Sequence, residues 1–172
     1  GYIEKEKLYE LIDNKLKEYG ITKNDYPLDS KALAELYEEH LLIDVIGFPS
    51  TRIGGMLCKG EVYSKMALNS LRSEKGRNFD CMHELIHYWF HPPLNTPCII
   101  DGNYLSQNRG YEWQANEGTA YALMPKDLFV EKYLQYNGDK ARLSDQFFVS
   151  EQTITYRIEN LQLPRIMKYQ NK

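Results

Sequence analysis

A chain of 172 residues, 42% hydrophobic and 13% aromatic, has the composition of a folded globular protein and not of a disordered one. Its net charge of −3 and pI of about 5.8 lack the basic footprint of a nucleic-acid-binding domain, which argues against direct DNA binding. No apolar run approaches the ~18 residues of a membrane span, and Cys58, Cys81 and Cys98 form neither an even set nor a CxxC pair, so a disulfide framework is not expected.

The N-terminal stretch GYIEKEKLYELIDNKLKEYG sets charges between its apolar residues and has no apolar core, so it does not read as a signal peptide. With three inert thiols this predicts a cytoplasmic protein. Leu8, Leu11, Ile12 and Leu16 recur at helical spacing over residues 2–19, and Gly20 closes the helix. That helix reads as a solvated flank or as part of a partner-docking surface. Asp25-Tyr26-Pro27 is a turn, and Asp29 or Ser30 caps a second helix with Leu33, Leu36 and Tyr37 on its inner face.

The pattern then changes. Residues 41–48 are β-branched and apolar, and residues 51–57 and 61–68 are further short strands separated by glycines. Residues 73–90 return to helical spacing until Pro92-Pro93, since proline lacks the amide proton and clashes with the preceding turn. Residues 92–110 read as an irregular loop. Helices follow over residues 111–124, 126–136, 139–147 and 151–161. The expected fold class is α+β: mainly helical, with a small antiparallel sheet of about three strands. An N-terminal helical segment (1–40), a core (41–137) and a C-terminal helical segment (138–172) are expected to pack as one domain.

The chemistry concentrates in the segment HELIH, residues 83–87. Residues four apart on a helix lie one above the other, about 5–6 Å between Cβ atoms, so His83 and His87 can share one zinc ion at about 2.0–2.1 Å. Glu84 then stands beside the metal, where a general base for metal-activated water belongs. At about 100° per residue Asp80, His83, Glu84, His87 and His91 form one polar stripe. Phe79, Met82, Ile86, Trp89 and Phe90 form an apolar back. The plainer alternative is a solvated helix face that happens to carry two histidines.

Zinc needs a third protein ligand. His91 continues the series but lies about 12 Å along the axis from His83, too far for one ion that also binds His87, so it is expected to cap the helix end or border the cleft. Glu112, near the start of the next helix, is preferred. Glu117 competes but sits about 140° around that helix. Asn116 shares a face with Glu112, and Asn116 and Asp80 are placed to orient the ligands from behind. Glu84 is expected to carry the proton, and Tyr88, Arg109 and Tyr111 are the candidate donors to a developing oxyanion or to substrate.

These segments resemble a known family. RNFDCMHELIHYWFH is similar to the R-x-F-x-x-x-H-E-L-x-H-x-x-x-H signature of the ImmA/IrrE metallopeptidases. EWQANEGTAYALMP resembles that family's E-x-x-A-N-x-x-A-x-x-L-M-P block, and FFVSEQTITYRIENLQL the block that follows. The resemblance spans roughly residues 41–165. It implies a thermolysin-like, gluzincin-type core with one zinc per chain, held by His83, His87 and Glu112, with Glu84 as the catalytic carboxylate. It also implies a bacterial, phage or mobile-element setting and cleavage of a helix-turn-helix transcriptional repressor. The alternative function is a non-proteolytic anti-repressor or toxin-like binding protein on the same fold. Two departures concern shape: Ile86 stands where a small residue is usual, and Gly118 and Thr119 where a bulkier side chain is common. The stretch 149–163 resembles the turn and second helix of a helix-turn-helix, with Val149, Ile154, Ile158 and Leu161 as its core. A helix packed on the catalytic core is the other reading.

Overall fold

The computed structural model of the chain describes residues 3–93 and 109–165, with Arg109 described by its backbone alone. The greater part of the expected 92–110 loop, with Cys98, lies outside the described residues. Helix α1 spans Lys5–Glu18 and α2 Ser30–Tyr37; strands β1, β2 and β3 span Leu41–Ile46, Gly55–Cys58 and Ser64–Asn69. Helix α3 spans Glu74–Phe90, α4 Arg109–Leu123, α5 Lys126–Gln135, α6 Lys140–Phe147 and α7 Glu151–Asn160.

Local chemistry accounts for most of these boundaries. Asp29, Ser73, Asp139 and Ser150 each accept a hydrogen bond from a first-turn amide, of Ala32, Gly76, Arg142 and Thr153, and so fix the starts of α2, α3, α6 and α7. Ser30 is left as the first helical residue of α2. Gly20, at φ +68°, follows α1 in the left-handed conformation that lets the Ile21 amide reach back to the Leu16 carbonyl at 3.0 Å.

The fold is α+β with three strands, as expected, but the sheet is mixed and not antiparallel. Its order is β1-β3-β2. β2 and β3 pair antiparallel, Gly55 opposite Leu68, whereas β1 and β3 pair parallel, Leu41 opposite Ser64. The reason lies in the register of burial. Ser64, Met66, Leu68 and Asn69 are buried, so β3 takes the centre, between the two strands that precede it. β1 and β2 run in opposite directions, and a strand inserted between them must be parallel to one.

Helix α3 lies against the inner face of this sheet and against α2 and α4. Its apolar side is wider than expected: Cys81, Met82, Leu85 and Ile86 are fully buried, while Phe79, Trp89 and Phe90 are only partly so. Helix α1 is no solvated flank. Leu8, Ile12 and Leu16 are buried, Tyr9 stacks on Tyr121 of α4 with ring centroids 3.9 Å apart, and the Tyr121 hydroxyl donates to Asp13 at 2.8 Å. The C-terminal segment joins the same hydrophobic cluster through Leu143, Phe147, Val149, Ile154 and Ile158. Buried Arg157 forks onto the Met124 carbonyl at 3.1 and 2.9 Å, so α7 is tied to the end of α4. Its exposed side carries Glu151, Gln152, Tyr156 and Glu159 and no cation, which favours a packing helix over a DNA-reading one.

Ile86 and Gly118 turn out to be one feature. A Cβ on Gly118 would lie 3.0 Å from Ile12 Cδ1 and 3.3 Å from Ile86 Cδ1, so Ile86 fills the space that a side chain at 118 would take. Ile86→Ala should cost about 2–5 kcal/mol through the cavity it leaves, and Gly118→Leu about 1–3 kcal/mol through overpacking. Combined, they should cost less than their sum by about 0.5–3 kcal/mol. Urea unfolding of the wild type, the two single variants and the double variant measures that coupling; strict additivity would mean the two sites do not share this space.

Candidate metal centre

His83 and His87 project from the middle of α3 and Glu112 from the first turn of α4. His83 Nε2 lies 3.1 Å from Glu112 Oε2, His87 Nε2 lies 2.9 Å from Glu112 Oε1, and the two Nε2 atoms are 3.1 Å apart. Among the described residues these are the group of three whose ligand atoms all fall within 4.8 Å of one another. Three tetrahedral ligands at about 2.0–2.1 Å from a zinc ion stand about 3.3 Å apart, so the two nitrogens and one carboxylate fit that ion in number, type and spacing.

Each ring is held from behind. His83 Nδ1 lies 3.0 Å from Asn116 Oδ1, the partner expected from the shared face of Glu112 and Asn116. His87 Nδ1 faces His91 Nδ1 at 2.7 Å, and His91 Nε2 lies 2.9 Å from Gln114 Oε1. His91 is the C-cap residue of α3, as expected, but its ring is buried behind His87 and does not line a cleft. Lys59 secures this end of α3 by donating to the carbonyls of His91, at 2.5 Å, and His87, at 3.3 Å, where a cation suits the negative end of the helix.

The competing carboxylate faces another way. Glu117 is buried towards α1, where it accepts from the Tyr9 hydroxyl and pairs with Lys5 at 3.1 Å. Asp80 sits on the polar stripe but does not back a ligand ring. Arg72 holds it through Nε at 2.5 Å and NH2 at 3.3 Å. Tyr88 has Lys59 over its ring, the ammonium 5.8 Å from the centroid. Tyr111 packs on His91, ring centroids 4.7 Å apart. The Arg109 side chain lies outside the described residues.

Sequence reasoning missed what brings the sheet to this stripe. A Cβ on Gly54 would lie 2.3 Å from the Asp80 carboxyl carbon, and one on Gly55 would lie 3.1 Å from Glu84 Cγ. Two glycines therefore let β2 lie directly on the face that carries Asp80 and Glu84. Fully buried Asn69 shapes the connection that delivers them. Its Nδ2 donates to the Ser50 and Ile53 carbonyls, at 2.8 and 2.9 Å, and its Oδ1 accepts from the amides of Phe48 and Leu71. The two consecutive glycines were the available signal; an asparagine at a strand end was not one.

The charges are mutually adjusted. Burial raises Glu84 above the ordinary carboxylate range, partly offset by His83 and His87. Burial alone would raise Glu112 as well, but hydrogen bonds from both rings overrule it and hold its carboxyl far below the usual range. Burial alone would lower His83, yet the Glu112 bond and the charges of Glu84 and Glu112 raise it. Burial and the facing His87 ring push His91 down to about 4, so it stays neutral at physiological pH. The site thus sets a carboxylate of low proton affinity, Glu112, beside one of raised proton affinity, Glu84.

A family model for the IrrE N-terminal-like domain, Peptidase_M78, matches residues 51–159, more than half of the chain. The chain belongs to the Peptidase_M78 family. The matched residues run from the connection before β2 to the end of α7 and include the two helices that carry His83, His87 and Glu112. This Peptidase_M78 chain is 29% identical over 123 residues to the "Uncharacterized immunity region protein 2" of Bacillus phage phi105, over 71% of the present chain and 70% of that protein. Among solved structures it is similar to a Mycobacterium tuberculosis transcriptional regulator, with a TM-score of 0.58 and 15% identity over 91% of this chain and 47% of that one. The chain therefore spans about half the length of that regulator, and the likeness is one of fold. No described helix is long and apolar enough to cross a membrane.

Exchanging the two carboxylates separately tests the ligand assignment. Glu112→Gln should weaken zinc binding by more than the roughly 10–100-fold typical of losing an outer partner, since it removes an anionic ligand. Glu117→Gln should leave zinc affinity unchanged and lower the unfolding temperature, since it disturbs the Tyr9 and Lys5 contacts. Competition with a chromogenic chelator and thermal unfolding would read the two effects; the reverse pattern would assign the metal to the wrong face of α4.

Proposed function

We propose that the chain is a zinc-dependent peptidase of the gluzincin type that cleaves a helix-turn-helix transcriptional repressor at a specific bond, in a bacterial, phage or mobile-element regulatory system. The observation that carries the reading is the convergence of His83, His87 and Glu112 with Glu84 standing next to them in sequence and beside β2. The phage relative from an immunity region supports the regulatory setting.

Zinc, when bound, supplies the Lewis acidity that activates a water molecule and polarises the scissile carbonyl. The residues of the chain do the rest. His83, His87 and Glu112 would hold the ion through two nitrogens and a carboxylate. Glu84 accepts a proton from the attacking water and delivers it to the leaving amide nitrogen. Its raised proton affinity suits both halves of that transfer. β2 is an edge strand of the described sheet, so its outer backbone groups can pair with an extended substrate and lay the scissile bond across Glu84.

Purified protein should carry about one zinc ion per chain. Glu84→Gln should keep the metal and slow cleavage of the cognate repressor by about 10²–10⁴-fold, the range of a lost general base. Metal content by mass spectrometry, with His87→Ala as control, and a gel-based cleavage assay would check both. A Glu84→Gln protein that still relieves repression in cells would sink the peptidase reading in favour of an anti-repressor acting by occupancy.

A further inference from the structure

We propose that the uncovered face of the sheet is an interface between two copies of this chain, stacked about a two-fold axis with Asp44 of each copy opposite Lys65 of the other. The inference goes beyond the peptidase reading and does not depend on the metal.

The register defines the face. In the parallel pair Leu42 stands beside Lys65, and Asp44 beside Ala67. In the antiparallel pair Met56 stands beside Ala67. Neighbours across a ladder share a face and successive residues alternate. Leu42, Asp44, Ile46, Met56, Lys65 and Ala67 therefore lie on the side away from Ser64, Met66 and Leu68, which are buried. Leu42 is 48% and Ile46 50% exposed; Asp44 and Lys65 are exposed, and Met56 and Ala67 partly so. Exposure on all three strands shows that no described element covers this face.

The chemistry of the face selects its occupant. The patch is apolar but carries one carboxylate and one ammonium, and among the described residues neither forms an ion pair. One acid and one base leave the face neutral and complementary to itself, as a two-fold contact requires. Asp44 and Lys65 are diagonal neighbours on adjacent strands, about 8 Å apart. In a flat ladder the axis that exchanges them passes close to Leu42, Ala67 and Met56. These three then meet their own counterparts, and apolar surface covers apolar surface. Joining β1 edge to edge with its copy about Asp44 would instead set two carboxylates opposite each other, which disfavours that arrangement. The face is small: six residues of β1 and three strands make about 20 by 14 Å. Two such faces bury less than the ~1,600 Å² of a standard interface, so the dimer is a weak one.

Sedimentation equilibrium of the whole chain reads the proposal. Wild type should pass from monomer to dimer at a concentration on the order of tens of micromolar. Asp44→Lys and Lys65→Glu each place like charges opposite one another and should each weaken the dimer about tenfold or more. An equimolar mixture of these two variants should dimerise as wild type does, because each then supplies the charge that the other lacks. That recovery also shows both variants to be folded. Adding Leu42→Arg to either variant should abolish it. A wild type that stays monomeric up to about 500 µM, far above the range of a weak specific contact, overturns the proposal. So does a mixture that stays monomeric while wild type dimerises. Zinc content should be the same in every variant, so a failure of the metal reading leaves this test intact.

Discussion

Three side chains whose donor atoms lie within 4.8 Å of one another, two on one helix and one on another, form the constraint on which the rest of the structure turns. Such atoms hold position only if the helices behind them cannot slide. The α3–α4 register is set by close packing, with Ile86 seated against the backbone of Gly118 and Ile12 of α1 closing the third side. The sheet braces α3 from one flank and α1 braces α4 from the other. The N-terminal helix, which looks peripheral in a linear reading, is thus part of what fixes Glu112 relative to the two imidazoles.

The second requirement is that polar groups near the site be satisfied without water. Among the described residues no buried side-chain nitrogen or oxygen lacks a partner. Asn78 shows how far this reaches: its carboxamide accepts from the Ser30 amide at 2.8 Å and donates to the carbonyls of Leu28 and Phe148 at 2.9 and 2.8 Å. One buried side chain on α3 so joins the entry of α2 to the turn between α6 and α7. Each such bond adds only about 0.5–1.5 kcal/mol net, but leaving one unmade in the interior costs more, so these residues specify the arrangement more than they drive folding.

The parts legible in the sequence were those written in local chemistry. Caps at Asp29, Ser73, Asp139 and Ser150 announce helices because the orphan amides of a first turn want a short polar side chain. HELIH announces a candidate metal site because the spacing of two histidines on one helix is itself local, and Glu112 joins it through the packing of α3 on α4. The hidden parts depend on distant partners. The parallel pairing of β1 with β3 follows from which strand is buried most, and periodicity within one strand does not report that. His91 reads as a helix cap or the border of a cleft, and nothing nearby in sequence reveals that Gln114 joins it to the Ile3 carbonyl. Asp80 reads as a ligand's support because its stripe is right; only the structure shows Arg72 claiming it. The expected apolar back of α3 omitted Cys81 and Leu85 because a helix covered on more than one side loses its single hydrophobic face.

The match of Ile86 to Gly118 also bears on how such a chain can change over generations. A lineage with a small residue at the first position and a large one at the second cannot reach the present pair in either order at equal risk. Enlarging position 86 first forces two side chains into one volume, whereas shrinking position 118 first leaves a void that the neighbouring methyl groups of Ile12 can partly close. Either order passes through a mismatched pair, a void or an overlap, at the crossing of α3 and α4. Volume traded between these two positions is thus traded at the crossing that spaces the two imidazoles from the Glu112 carboxylate.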